Sequence, residues 1–258
     1  MRFVLTLLLI SALSACHQLK DKAEPDTTPK EIRSGFAFLT PESQALQRDE
    51  FANPGLLWVE KGKDLFTASE HGTPSCQSCH QDQLAGAAAR FPKIDEISGS
   101  LVNIEGQINL CRTRHQRRSP LAYESDELLS LTAYLAHQSY GFDIQVSETG
   151  QAAKHYESGR KYFYTKRGQF NFSCAQCHNE NWGRKLRGDT ISQGHLNGFP
   201  AYRLEWQSLG SSHRRLRDCD TGVRAAPLPF GDQQYIDVEL YLAVRASQLK
   251  LESPAVRR

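Results

Sequence analysis

Two short patterns of apolar and polar positions each occur twice along the chain. The first reads Glu60-Lys-Gly62-Lys-Asp-Leu-Phe66 and then Glu157-Ser-Gly159-Arg-Lys-Tyr-Phe163, both of the form E-x-G-x-x-x-F. Gly and Phe four positions apart lie on one face of a helix, and the missing side chain at Gly lets another helix approach closely. The second pattern supplies the candidate partners: Leu131-Thr-Ala-Tyr134-Leu135-Ala136 and Val238-Glu-Leu-Tyr241-Leu242-Ala243, each apolar at i, i+3 and i+4. Strand signals are sparse, so the expected fold class is all-α, with two tandem domains from a duplicated module. Gly141, Ser147 and Gly150 interrupt the helical pattern and put the join near 140–150. Ahead of both modules, Arg2 is followed by an apolar run over 3–15. That run is too short for a bilayer span of ~20 residues but suits a signal peptide, so the protein is expected to be exported. The expected divisions are a signal at 1–15, a tether and extension at 16–48, domains at 49–145 and 146–250, and a tail at 251–258.

Composition changes this picture in two places. The formal net charge of +2 excludes a bulk polycation and gives no reason to expect a nucleic-acid partner. Seven cysteines stand against a single methionine, Met1, which leaves with the signal, so chemistry that needs a methionine sulfur is excluded.

Six of the cysteines divide evenly between the halves. Each half has a C-x-x-C-H motif followed by one lone cysteine: Cys76-Gln-Ser-Cys79-His80 with Cys111, and Cys174-Ala-Gln-Cys177-His178 with Cys219. Two thiols three positions apart add to the two vinyl groups of haem, and the next residue's imidazole then reaches the iron. A thioredoxin-like pair has no need of the histidine, and a zinc site wants four ligands. The motifs therefore predict two covalently bound c-type haems, attached at Cys76, Cys79, Cys174 and Cys177, with His80 and His178 on the irons.

No methionine remains for the opposite face of each iron. Candidates are the lone cysteines, His71, His115, His137, His155, His195, His213 or a lysine; only Cys111 and Cys219 occur once per repeat at matching positions. A disulfide between those two, or bis-histidine ligation, are the competing readings. Both cysteines have basic surroundings. Arg112, Arg114, His115, Arg117 and Arg118 follow Cys111; Arg214, Arg215 and Arg217 precede Cys219, with Arg224 beyond it. Guanidinium groups stabilise a thiolate and attract sulfate-like anions, although such a run also serves as a solvated face or a docking patch.

Over roughly residues 50–250 the chain resembles SoxA, the dihaem cytochrome c subunit of the SoxAX complex of bacterial thiosulfate oxidation. The resemblance rests on both haem motifs and on the stretches Asn103-Ile-Glu-Gly-Gln-Ile-Asn-Leu-Cys111-Arg112, Gly194-His-Leu-Asn-Gly-Phe-Pro-Ala-Tyr-Arg203 and Arg215-Leu-Arg217-Asp218-Cys219. It implies an L-cysteine S-thiosulfotransferase that oxidatively joins thiosulfate to a cysteine of the carrier SoxYZ, passing electrons through haem to an acceptor cytochrome c. It further implies a heterodimer with the monohaem cytochrome SoxX. By position, Cys111 matches the axial ligand of the first haem. Cys219 matches both the axial ligand of the second and the catalytic cysteine, carried as a persulfide, which makes the second domain the catalytic one. Arg215 matches the substrate-binding arginine. A dihaem electron shuttle without its own substrate site and a thiosulfate dehydrogenase are the alternatives. Leu13-Ser14-Ala15-Cys16 also resembles the lipobox of bacterial lipoproteins. This implies a lipid anchor at Cys16, with 21–33 tethering a periplasmic protein to the membrane.

Overall fold

Most helix starts along this chain are set by short polar caps, those at Leu56 and Ala153 excepted. In the computed structural model, which describes residues 29–69, 72–81 and 83–258, α1 (Pro41–Arg48) begins behind Thr40 and α2 (Leu56–Thr67) behind Gly55. The leader, Cys16 and His71 lie outside the described residues. The first haem motif forms α3 (Cys76–His80), a two-stranded hairpin joins β1 (Lys93–Ile94) to β2 (Leu101–Val102), and α4 (Ile104–His115) starts where Asn103 Oδ1 accepts the Gly106 amide at 3.0 Å. Ser125 caps α5 (Asp126–His137), whose first turn holds Asp126 and Glu127 and whose last holds His137, the order the helix dipole favours.

The second half repeats the plan. α6 (Ala153–Tyr164) precedes α7 (Cys174–His178), the second haem motif, and the hairpin of β3 (Lys185–Leu186) and β4 (Asp189–Thr190) follows. β5 (Ala201–Arg203) pairs antiparallel with β6 (Ser208–Gly210), which leads into α8 (Ser212–Gly222) and α9 (Gln233–Arg245). The last strand, β7 (Ala255–Arg257), runs parallel to β5 and places it at the centre of a three-stranded sheet. Helices dominate, and every strand has two or three residues.

The crossing helices expected at Gly62 and Gly159 are present: α2 packs on α5, and α6 on α9. A Cβ at Gly62 would overlap the Ser130 carbonyl oxygen and come within 2.8 Å of Tyr134 Cβ. One at Gly159 would overlap the Asp237 carbonyl oxygen and come within 3.0 Å of the Val238 amide. The aromatic pairs repeat as well, with Phe66 and Tyr134 at 5.2 Å between centroids and Phe163 and Tyr241 at the same 5.2 Å. Alanine in an open helix would gain about 1 kcal/mol over glycine, but here both obstacles are backbone and cannot rotate away. Gly62→Ala and Gly159→Ala are therefore each expected to lose about 2 kcal/mol or more, read as a lower denaturant midpoint of the haem-loaded protein.

Residues 251–258 are built into the fold rather than trailing from it as a tail. Leu251, Ser253, Ala255 and Val256 are buried, and Asn53 Nδ2 donates to the Pro254 carbonyl at 3.1 Å. A three-residue strand is too short to announce itself by alternation. The extension ahead of the first domain docks on the second half: Gln193 Nε2 donates to Glu31 O at 2.8 Å, its Oε1 accepts the Arg33 amide at 2.8 Å, and Ser34 Oγ donates to Glu252 at 2.7 Å. Any tether therefore ends before Glu31.

A buried acidic cluster lies where the halves meet. Glu105 of α4 and Glu239 of α9 line a cleft of about 80 Å³ with Asn103, Thr132 and Ser212. Ser212 Oγ donates to Glu239, and His213 Nε2 stands 3.4 Å from the same carboxyl. Burial pushes the Glu239 carboxyl up to about 8 and the Glu105 carboxyl up to about 7, with Glu105 adding to the rise at Glu239 and Glu124 to that at Glu105.

Candidate functional site

In the first half, Ser75 stands immediately before Cys76, and its hydroxyl accepts the Ser78 amide at 3.0 Å, which starts the one-turn helix that presents the motif. Cys76 is partly buried and Cys79 exposed. The end of α4 folds over them: Gln116 Nε2 donates to Pro74 O at 3.0 Å and approaches Cys76 Sγ at 3.6 Å. Cys111, one turn earlier, receives Gln107 Nε2 at 3.5 Å. Burial raises the Cys76 thiol, Gln116 opposes it, and the nearby Cys111 adds to the rise, which puts the lone cysteine beside its own motif. Of the basic run, Arg114 forms a two-pronged pair with buried Asp95 at 2.8 Å for each bond, holding that carboxyl far below the usual range. Arg112 Nε donates to Ser119 O at 3.2 Å.

The second motif is framed more tightly. Ser173 and Gln176 form a reciprocal capping box around the start of α7. Arg167 Nη1 lies 3.5 Å from Cys174 Sγ. Burial pushes the Cys174 thiol up to about 11, with Arg167 opposing and Cys219 adding; burial and then Cys219 also raise Cys177. Cys219 is thus near enough to both attachment cysteines of its half for its charge to be felt at each. The six described cysteines form no disulfide, Cys111 and Cys219 included.

His178 shows how a ring is prepared for a metal. Its Nδ1 lies 2.8 Å from the Ser192 carbonyl, which accepts only from an N–H and so leaves Nε2 with the free lone pair. Burial pushes the ring down to about 4, which keeps it neutral. Gly194, at φ +76°, packs its backbone on the imidazole, where a Cβ would stand 2.8 Å from Cγ. A c-type haem fits these residues: Cys174 and Cys177 would attach it, with His178 and Cys219 available to the iron, and Cys76, Cys79, His80 and Cys111 repeat the set. The other histidines are engaged or displaced. His155 Nδ1 pairs with Asp237 at 2.7 Å, His213 Nδ1 accepts the Gly231 amide at 3.1 Å, buried His195 lies beside Gln193, and His115 and His137 are at the surface.

α8 sorts its arginines. Ser211 caps the helix, and Arg215 and Cys219, four apart, share a face. Arg214 donates to Ser208 Oγ at 3.0 Å and covers the Trp206 ring at 4.4 Å; Arg217 donates to Leu228 O and covers Phe230 at 4.5 Å; Arg224 covers Phe170 at 4.8 Å. Among the described residues, Arg215 has no side-chain partner, and its charge is felt at His178. Asp220, absent from the sequence-based site, anchors the end of the helix by accepting from Tyr162 and Tyr235 hydroxyls at 2.6 Å each and from Arg167 at 3.4 Å.

Helix pairs crossing at glycine, each holding a C-x-x-C-H turn beside a lone cysteine, define a duplicated c-type cytochrome. Residues 61–144 match the SoxA/TsdA cytochrome c domain. The chain is similar to the L-cysteine S-thiosulfotransferase subunit SoxA of Rhodovulum sulfidophilum, 37% identical over 88% of this chain and 80% of that one. It is similar to the same subunit of Pseudaminobacter salicylatoxidans, also 37% identical, over 92% and 85%. The crystal structure of SoxXA from P. pantotrophus superposes with a TM-score of 0.86 at 35% identity, covering 90% of this chain and 89% of that one. The chain belongs to the SoxA family.

Proposed function

We propose that this chain is the catalytic subunit of an L-cysteine S-thiosulfotransferase, joining thiosulfate to a cysteine of SoxYZ within a heterodimer with SoxX. The observation that carries this reading is the convergence on one helix face of Cys219, whose charge is felt at both cysteines of the second haem motif, and of Arg215, which no other described side chain engages. Arg215 holds the sulfonate oxygens of thiosulfate by charge-assisted hydrogen bonds. That orientation turns the outer sulfur toward Cys219 Sγ, where one S–S bond forms and two electrons leave. The carrier's thiolate then attacks the outer sulfur, the bond to Cys219 breaks, and Cys219 departs as a thiolate; the carrier thiol's proton goes to solvent. When bound, the haem supplies the one-electron acceptor through which those electrons pass on to an acceptor cytochrome c. Two c-type haems, whose irons His80 with Cys111 and His178 with Cys219 would hold, complete the proposal, as do export to the periplasm and lipidation at Cys16.

Electron paramagnetic resonance of the oxidised complex tests the ligation: histidine–thiolate signatures are expected, and nitrogen on both faces of the second iron would overturn it. Arg215→Ala is expected to raise KM for thiosulfate about 30-fold, the loss of about 2 kcal/mol of charged hydrogen bonding. If Arg215 only docked partners, the variant would instead slow electron transfer in a salt-dependent way, with KM for thiosulfate unmoved.

A further inference from the structure

Arg203, in the central strand β5, is buried to 4% exposure, yet two of its three guanidinium nitrogens, Nε and Nη1, have no partner among the described residues. The third, Nη2, donates to Glu205 at 2.8 Å and to the Arg258 carbonyl oxygen. The group is held in place rather than loose. Its guanidinium lies over the Trp206 ring at 4.9 Å, Arg214 covers the same ring, and Trp206 Nε1 donates to Asp218 at 2.8 Å. The hairpin of β5 and β6 is thereby tied to the stretch of α8 that carries Arg215, Asp218 and Cys219.

A buried cation with unmade hydrogen bonds is costly, and a second cation nearby makes it worse. Here burial and then the repulsion of Arg215 both disfavour the charged form of Arg203, with Glu205, Asp218 and Cys219 opposing them. A buried guanidinium with donors to spare, tied through Trp206 and Asp218 to the helix that carries Arg215 and Cys219, is what an anion beside it would reconcile. We propose that Arg203 is a second anion-binding group of the Cys219 centre, its Nε and Nη1 donating to anionic oxygens that also face Arg215. The proposal rests on the reading of Cys219 and Arg215 as the reaction centre. The ligand chemistry is a sulfonate or carboxylate oxygen, supplied either by thiosulfate or by a propionate of the haem.

The test uses the haem-loaded complex with Arg203→Gln and Arg203→Lys, measuring thiosulfate kinetics, inhibition by sulfate as an unreactive probe, and the midpoint potential of the second haem against pH. If thiosulfate is the source, KM rises at least tenfold, more than kcat falls, and sulfate inhibition weakens in step while the potential holds. If the propionate is the source, the potential and its pH dependence shift while KM and sulfate inhibition hold. A folded, haem-loaded variant with parental values of all three overturns the proposal. Should neither variant load haem, a crystal structure of the parent complex with sulfate decides: an anionic oxygen within about 3.2 Å of Arg203 Nε or Nη1 supports it, and none there overturns it. A parent complex that conjugates no thiosulfate counts against the proposed activity instead, and the potential and crystal measurements still judge Arg203.

Discussion

Replacing Cys219 by alanine is expected to lower conjugation of thiosulfate to the carrier by at least about 10³-fold, because one sulfur atom holds both covalent roles in the proposed reaction. It is the atom to which oxidised thiosulfate attaches, and it is the leaving group when the carrier attacks. The fold itself should tolerate the change. Cys219 is only partly buried, and α8 is fixed by the Ser211 cap at its start and by Asp220 with its two tyrosines at its end. Cys111→Ala makes the matching control, since Cys111 lies beside the first motif and not the second. Mass spectrometry of the carrier after incubation with complex, thiosulfate and an electron acceptor reads both variants. Conjugation at the parental rate by Cys219→Ala would remove the residue from the chemistry. An equal loss in Cys111→Ala would show that the rate follows electron flow through both haems rather than bond formation at Cys219.

How much of this was legible in the chain depends on whether a structural demand leaves a residue type at a fixed spacing. Gly62 and Gly159 were legible because a backbone carbonyl presses on each and no side chain fits, and the aromatic partners recur at the same offsets. The haem motifs were legible because covalent attachment fixes both residue identity and interval. The acceptor for His178 was not: it is the main-chain oxygen of Ser192, which any residue would supply. Only the family resemblance, and not the local pattern of residues, set Arg215 apart from Arg214 and Arg217, because what separates them in the fold is the set of partners brought by Trp206, Ser208 and Leu228 from other segments. Asp220 reads as one more charge beside a basic run until Tyr162, fifty-eight positions away, is folded against it. The acidic cleft between the halves has the same origin, since Glu105 and Glu239 each read as one more charged residue of a helix and become buried together only when α4 and α9 are packed into the fold.

That pair gives stability a distinctive pH dependence. In the folded protein Glu239 keeps its proton up to about 8 and Glu105 up to about 7, whereas both release it near 4.5 when unfolded. Between those limits the folded state binds more protons, so stability falls as pH rises from about 4.5 to about 8. Buried His195 and His213 act in the opposite sense. Each is held down to about 3 by burial first, with nearby arginine charge adding, so their contribution is lost as pH falls from about 6.5 toward 3. From about 4.5 to 6.5 the two trends offset each other; above 6.5, of the two, only that of the carboxyls remains. Glu239→Gln keeps the shape and an oxygen to accept from Ser212, but it has no proton to lose. The variant is therefore expected to lose less stability than the parent between about pH 6.5 and 8.5, by about 2 kcal/mol. Urea unfolding of the haem-loaded proteins at several pH values in that interval measures the difference. Parallel decline of parent and variant would mean that Glu239 is already ionised in the folded protein, its charge balanced by His213 at 3.4 Å and not suppressed by burial.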